Sequence, residues 1–156
     1  MIKIEIPGWG NLEVENIVID LNGTLATDGE IPPAVRERIN LLSEKVTVYI
    51  LTADTQGTAD EEGQGMNAEI IKIGKEDSKG NKFEFLKAHH PEKTIVIGNG
   101  NNDQLILKEA SLGIAVLGDE GISTSAMKNA DILVKHICDA LDLFLKPKRL
   151  IATLRE

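Results

Sequence analysis

The sequence predicts an α/β fold, a three-layer sandwich with a mostly parallel sheet, and three observations carry that expectation. Six short apolar runs rich in Ile and Val, at 17–21, 46–51, 68–73, 94–97, 113–117 and 132–134, are separated by segments that suit helices. Runs without polar alternation are those of strands buried on both faces, and strands alternating with helices imply parallel pairing through right-handed crossovers. Three of the runs end in polar clusters, as expected at the C-terminal edge of a parallel sheet, where ligands bind.

Taken in order, 2–6 and 12–14, separated by Pro7-Gly8-Trp9-Gly10, predict a small leading hairpin over residues 1–15. Run 17–21 is the first core strand and 46–51 the second. Between them Pro32-Pro33 opens a helix in which Val35, Ile39 and Leu42 recur at helical spacing. Segments 81–90, 103–110 and 122–129 suit the helices that follow, and Asp28-Gly29 has the composition of a tight hairpin turn. The tail, 140–156, is an apolar helical stretch, the interruption Lys146-Pro147-Lys148-Arg149, and the apolar residues 150–154. It is expected as a final helix packed on the sheet with a basic first turn, the alternative being an arm that docks on a second subunit. No repeat, low-complexity tract or linker divides the chain, so one domain over 1–156 is expected.

At 156 residues, with 42% hydrophobic and 27% charged residues, the composition is that of a globular protein able to bury a core. A net charge of -8 and a pI near 4.9 argue against a nucleic-acid partner. Cys138 is the only cysteine, so an internal disulfide is excluded, and neither a signal pattern nor a membrane-length apolar run is present. The expected location is the cytoplasm.

The residues able to do chemistry fall after three of the strands: Asp20-Leu21-Asn22-Gly23-Thr24, Thr52-Ala53-Asp54, and Gly98-Asn99-Gly100-Asn101-Asn102-Asp103. Lys82 stands in the first turn of the helix predicted to precede the fourth core strand. Parallel strands share one C-terminal edge, so these groups are expected to converge. Singly each has a structural reading: a turn at Asn22-Gly23, a cap at Thr52, a tight loop at 98–100, a solvated Lys82. A dinucleotide or P-loop site is not indicated, since neither Gly-x-Gly-x-x-Gly after the first core strand nor Gly-Lys-Ser/Thr occurs.

Together, and in this order, the four elements resemble the motifs of the haloacid dehalogenase superfamily: an aspartate nucleophile, a Ser or Thr, a Lys, and an acidic Gly-rich loop. The resemblance runs from Asn16 to about Val134 and is nearest to the phosphorylation domain of P-type ATPases. Only 27 residues, 25–51, separate Thr24 from Thr52, so a small capless homologue of that domain is implied rather than a transporter. The resemblance implies a Rossmann-like sheet and a Mg²⁺-dependent phosphohydrolase working through an aspartyl-phosphate on Asp20. It assigns catalytic roles to Asp20, Asn22, Thr52 and Lys82, and substrate contacts to Gly23, Thr24, Ala53, Asp54 and Asn102. The Mg²⁺ ligands would be Asp20, the carbonyl of Asn22, Asn99 and Asp103.

Two departures qualify this. Related phosphatases carry a second Asp where Asn22 stands, and that acid protonates the leaving group and then activates water. Loss of such help costs about 10²–10⁴-fold, so slow turnover is expected. Asn99 replaces an acidic metal ligand with an amide oxygen, which still suits a hard cation but lacks the charge. The alternative reading is therefore a phosphate- or metal-binding regulatory protein on the same fold. The expected substrate is a phosphorylated small molecule or macromolecule, and the open edge and apolar tail predict self-association. His89-His90 is expected as a solvated pair and Asp119-Glu120 as loop charge.

Overall fold

The computed structural model describes residues 1–53 and 63–156. Strands β1 (Ile2–Ile6) and β2 (Gly10–Val14) form an antiparallel hairpin of their own. The main sheet has six parallel strands: β3 (Asn16–Asp20), β4 (Thr47–Thr52), β5 (Glu69–Lys72), β6 (Thr94–Gly98), β7 (Leu112–Val116) and β8 (Ile132–Val134), in the order β5-β4-β3-β6-β7-β8. The helices are α1 (Pro33–Ser43), α2 (Ser78–Lys87), α3 (Gln104–Glu109), α4 (Thr124–Asn129), α5 (Ile137–Leu145) and α6 (Pro147–Leu154).

Alternation along the strands builds the three layers. Ile17, Ile19, Val48, Ile50, Ile95 and Ile97 face a core closed by α1, α5 and the hairpin. Val18, Leu51 and Val96 face the other way, against Leu86 of α2, Ile106 and Leu107 of α3 and Ala126 of α4. Burying each such side chain contributes about 1.5–3 kcal/mol, which is why the apolar runs dictate the sheet. Gly113 of β7 passes so close to α3 that a Cβ there would stand 2.2 Å from the Leu107 carbonyl oxygen.

From β3 the chain steps outward to β4 and β5, then returns to place β6 on the other side of β3. The order reverses between β3 and β6, and at such a switch point the loops diverge and leave a crevice. Asp20 ends β3, and the loop at 98–103 leaves β6 beside it.

Two expectations are corrected. The helix predicted at 81–90 runs from Ser78 to Lys87, because Asp77 caps it by accepting the Gly80 N–H at 3.3 Å. Gly80 therefore opens the helix rather than interrupting a loop, and a Cβ there would clash with the capping carboxylate at 2.3 Å. Lys82 consequently lies in the second turn, not the first. Of the pair expected to be solvated, His90 is exposed but His89 is only half-exposed: its ring stacks on Phe85 at 4.0 Å and meets Tyr49 edge-on at 4.9 Å, with Nδ1 2.7 Å from the Phe85 carbonyl oxygen.

The tail folds as two helices, with Lys148 and Arg149 in the first turn of α6. Leu150 is fully buried against the same chain's core, and Ile151 and Leu154 pack beside it. A buried Asp142 binds Arg38 of α1 at 2.9 Å and Arg149 of α6 at 3.6 Å, pinning the two terminal helices to the first.

Candidate active site

The turn after β3 is built by its own backbone. Leu25 N–H donates to the Asp20 and Leu21 carbonyls at 3.2 and 3.0 Å, Ala26 N–H to Leu21 at 2.8 Å, and Gly23 N–H to Ala26 at 2.9 Å. Gly23 has φ of +77°, and a Cβ there would lie 2.6 Å from Asn99 Nδ2, so only glycine fits on both counts. Just beyond, Thr27 and Glu30 exchange both backbone hydrogen bonds across Asp28-Gly29, whose φ values are +52° and +82°. This is the tight hairpin turn expected from the sequence.

Lys82 is the centre of the site. Its side chain is 2% exposed, and Nζ donates to Asp20 Oδ1 at 2.8 Å, Asp103 Oδ1 at 2.8 Å and Asn102 Oδ1 at 3.2 Å. All three donors of the ammonium are thereby used. Asp103 is completely buried, and its second oxygen accepts the Asn99 and Gly100 N–H groups at 3.1 and 3.0 Å. A Cβ at Gly98 would stand 2.6 Å from that carboxylate, so glycine makes room for it. Asn102 is itself steadied by donating to Ser78 Oγ at 3.1 Å. Thr24 Oγ1 donates to Asn99 Oδ1 at 3.0 Å and lies 3.3 Å from Asp20 Oδ2.

Asp20, Asn22, Gly23, Ala53, Lys82, Asn99, Gly100, Asn102 and Glu120 line one cavity of about 280 Å³. Thr52 is buried at the end of β4, one position beyond Leu51, the register partner of Asp20. Thr24 and Asp103 stand behind the lining. The structure therefore brings together every candidate residue except Asp54, which lies outside the described residues. Glu120 was expected to be loop charge, and only its place in three dimensions reveals it at the cavity.

Burial raises the Asp20 carboxyl to about 7, the neighbouring Asp103 charge adds to the rise, and Lys82 opposes it. For Lys82 burial alone would depress the ammonium, but Asp20 and Asp103 outweigh it and the net direction is upward. The two directions pull differently on one ion pair; the geometry, with two carboxylates on one ammonium, favours a permanently charged Lys82. A cation near Asp20 would lower its pKa again.

Among the described residues no three His, Cys, Asp or Glu side chains group as a metal site. Asp20, Asn22 and Asn99 line the cavity with Asp103 buried behind them, and the oxygens these residues carry are of the kind Mg²⁺ takes: hard oxygens, one or two carboxylates, the rest water. The donor set fits that ion. Among the described residues no helix is long and apolar enough to cross a membrane.

No family model matches the chain. It is 50% identical over 93 residues to an uncharacterized protein of Methanocaldococcus jannaschii, covering all of that protein and 58% of itself. It is also 26% identical over 143 residues to a soluble P-type ATPase-like phosphatase of the same organism, covering 89% of itself and 52% of the phosphatase. Among solved structures it is similar to the 3-deoxy-D-manno-octulosonate 8-phosphate phosphatase of Moraxella catarrhalis, in complex with magnesium, phosphate and the sugar acid. There the TM-score is 0.71 at 17% identity, over 91% of this chain and 94% of that one. The cobalt-bound phosphatase of Haemophilus influenzae matches with a TM-score of 0.72 at 13% identity, over 92% and 94% of the two chains.

Proposed function

We propose that this chain, a haloacid dehalogenase superfamily protein of one family with its uncharacterized M. jannaschii relative, is a Mg²⁺-dependent phosphohydrolase acting through Asp20. The observation that carries the reading is Lys82 Nζ at 2.8 Å from both Asp20 and Asp103 beneath the cavity at the sheet's switch point. A buried lysine clamped between two acids adds little stability over an apolar core. It is what a carboxylate nucleophile needs in order to meet a phosphate dianion.

Asp20 attacks phosphorus and splits hydrolysis into two displacements through an aspartyl-phosphate. Lys82 offsets the charge on the equatorial oxygens while remaining fixed by Asp103 and Asn102, so no reorganisation accompanies the reaction. Thr52 and the backbone around Leu21 to Gly23 and Ala53 hold the phosphoryl group. Thr24 keeps Asn99 and Asp20 in place rather than touching substrate. Asp20, the Asn22 carbonyl, Asn99 and Asp103 would hold Mg²⁺, which when bound would supply charge neutralisation at the phosphoryl group. The named phosphatase relatives support a phosphate ester as substrate. The crevice carries no cap among the described residues, which keeps both small and macromolecular esters in play.

Phosphate release from a broad ester panel, with Mg²⁺ and with chelator, tests this. Mg²⁺-dependent release that vanishes in Asp20→Asn, together with beryllium fluoride binding to wild type only, is the expected result. The second reading, a regulatory protein that binds phosphate and metal without turnover, is favoured by Asn22 and Asn99. It wins if wild type and Asn22→Asp are both inert while Mg²⁺ and phosphate bind.

A further inference from the structure

After β7 the chain makes a tight turn, Gly118-Asp119-Glu120-Gly121, with φ of +50° at Gly118 and +83° at Gly121, and Gly121 N–H 3.4 Å from the Gly118 carbonyl oxygen. The turn leans on the catalytic loops. A Cβ on Gly118 would stand 3.3 Å from the Gly23 carbonyl oxygen, and Asn99 Nδ2 donates to the Gly121 carbonyl at 3.3 Å. Ser123 N–H donates to the Asn99 carbonyl at 2.8 Å, fixing the far end. The two acids of the turn part company: Asp119 lines a neighbouring cavity of about 290 Å³, and Glu120 lines the catalytic one.

Among the described residues that line the catalytic cavity, Asp20 and Glu120 are the only carboxylates. Asp20 is engaged by Lys82, whereas Glu120 is exposed and enters no hydrogen bond or ion pair among the described residues. Asn22, which also lines the cavity, has no carboxyl proton to exchange. A hydrolysis needs a group that takes the proton of the attacking water, and among the described residues at this cavity Glu120 has a free carboxylate to do so.

We propose that Glu120 is the general base of the second displacement, supplying from the β7 turn what Asn22 cannot. The inference rests on the phosphohydrolase reading above. The water oxygen forms a bond to phosphorus as one water proton passes to the Glu120 carboxylate. The bond from phosphorus to the Asp20 oxygen breaks, its electron pair returns to the Asp20 carboxylate, inorganic phosphate departs, and Glu120 releases its proton to solvent.

Glu120→Gln tests this, since an exposed, unpartnered side chain can change without unfolding the chain, which thermal unfolding would verify. With a substrate from the active panel, the variant should retain a burst of about one equivalent of leaving group while steady-state phosphate release falls at least about 10²-fold. Intact mass after acid quench should show the variant, but not wild type, heavier by one phosphoryl group. Asn22→Asp should accelerate Glu120→Gln by a larger factor than it accelerates wild type, because the new carboxylate fills an empty role there. Steady-state release unchanged in Glu120→Gln, or burst and steady state reduced alike without a phosphorylated species, overturns the role of Glu120 while Asp20→Asn still reports on the phosphohydrolase. A wild type with neither release nor phosphorylated species removes that reading and this inference with it.

Discussion

The raised Asp20 carboxyl makes a quantitative claim about stability. Its pKa is about 7 in the folded chain against an ordinary 3.8, a difference of about 3 units, or about 4 kcal/mol. Folding therefore takes up a proton between these two values, and stability declines as pH rises from about 4 to about 7, then levels. Asp20→Asn keeps the size of the side chain but has no charge to desolvate, and Lys82 retains Asp103 at 2.8 Å and Asn102 at 3.2 Å. Urea unfolding of the two proteins in chelator, at several pH values from 4 to 8, isolates the contribution because every other carboxylate is common to both. Near pH 4 the free energies should agree within about 1 kcal/mol, and at pH 8 the variant should be more stable by up to about 4 kcal/mol. Mg²⁺ should narrow that gap by binding wild type and restoring charge balance at Asp20. A gap that does not change with pH, or a variant less stable than wild type at pH 8, would refute the reasoning.

Other consequences follow from single contacts. Asn22→Asp should raise steady-state phosphate release by less than about 10²-fold, since nothing around it is arranged to tune the new acid; mass spectrometry must exclude deamidated wild type. Gly113→Ala places a methyl 2.2 Å from the Leu107 carbonyl oxygen, so calorimetry should find a loss of about 3 kcal/mol, the upper end of overpacking costs. Leu150→Ala should cost about 2–5 kcal/mol in chemical unfolding, because its side chain is fully buried in the chain's own core. Dispensability of Leu150 would revive its role as an arm for a second subunit.

The six-stranded sheet was legible because its signal is local and repeated. Ile17, Val18 and Ile19 are buried on both faces, as are Ile95, Val96 and Ile97, and such runs leave few alternatives to a covered parallel strand. Strand ends were displaced by only a residue or so. Helix ends fared worse where a side chain, not periodicity, set the boundary. Asp77 starts α2 three residues early by capping, through a glycine that reads as a breaker in sequence. The Asp142 pair with Arg38 spans 104 positions and has no local signature at all. The stacking of His89 on Phe85 joins a residue inside α2 to one just past its end, after the C-cap Ala88, and a ring folded back from beyond a helix end has no periodic signature.

The candidate site divides along the same line. Asp20, Thr52 and Asp103 were readable because parallel topology brings strand ends to one edge whatever the loops do, and Lys82 because the helix leading into β6 begins at that same edge. Glu120 was not, because a charged residue in a glycine-bounded turn looks like every solvated loop, and its meaning comes from contacts elsewhere. Gly118 lies against the Gly23 carbonyl and Gly121 accepts from Asn99, so one of the two residues that depart from the family pattern, Asn99, helps hold the loop after β7. An Asp at position 99 could not donate to the Gly121 carbonyl, and its charge would face that oxygen instead. The neutral Asn99 thus gives up metal-ligand charge and gains a hold on the turn that carries Glu120. The two losses of charge, at Asn22 and Asn99, then belong to one arrangement in which the proton acceptor comes from a different strand end.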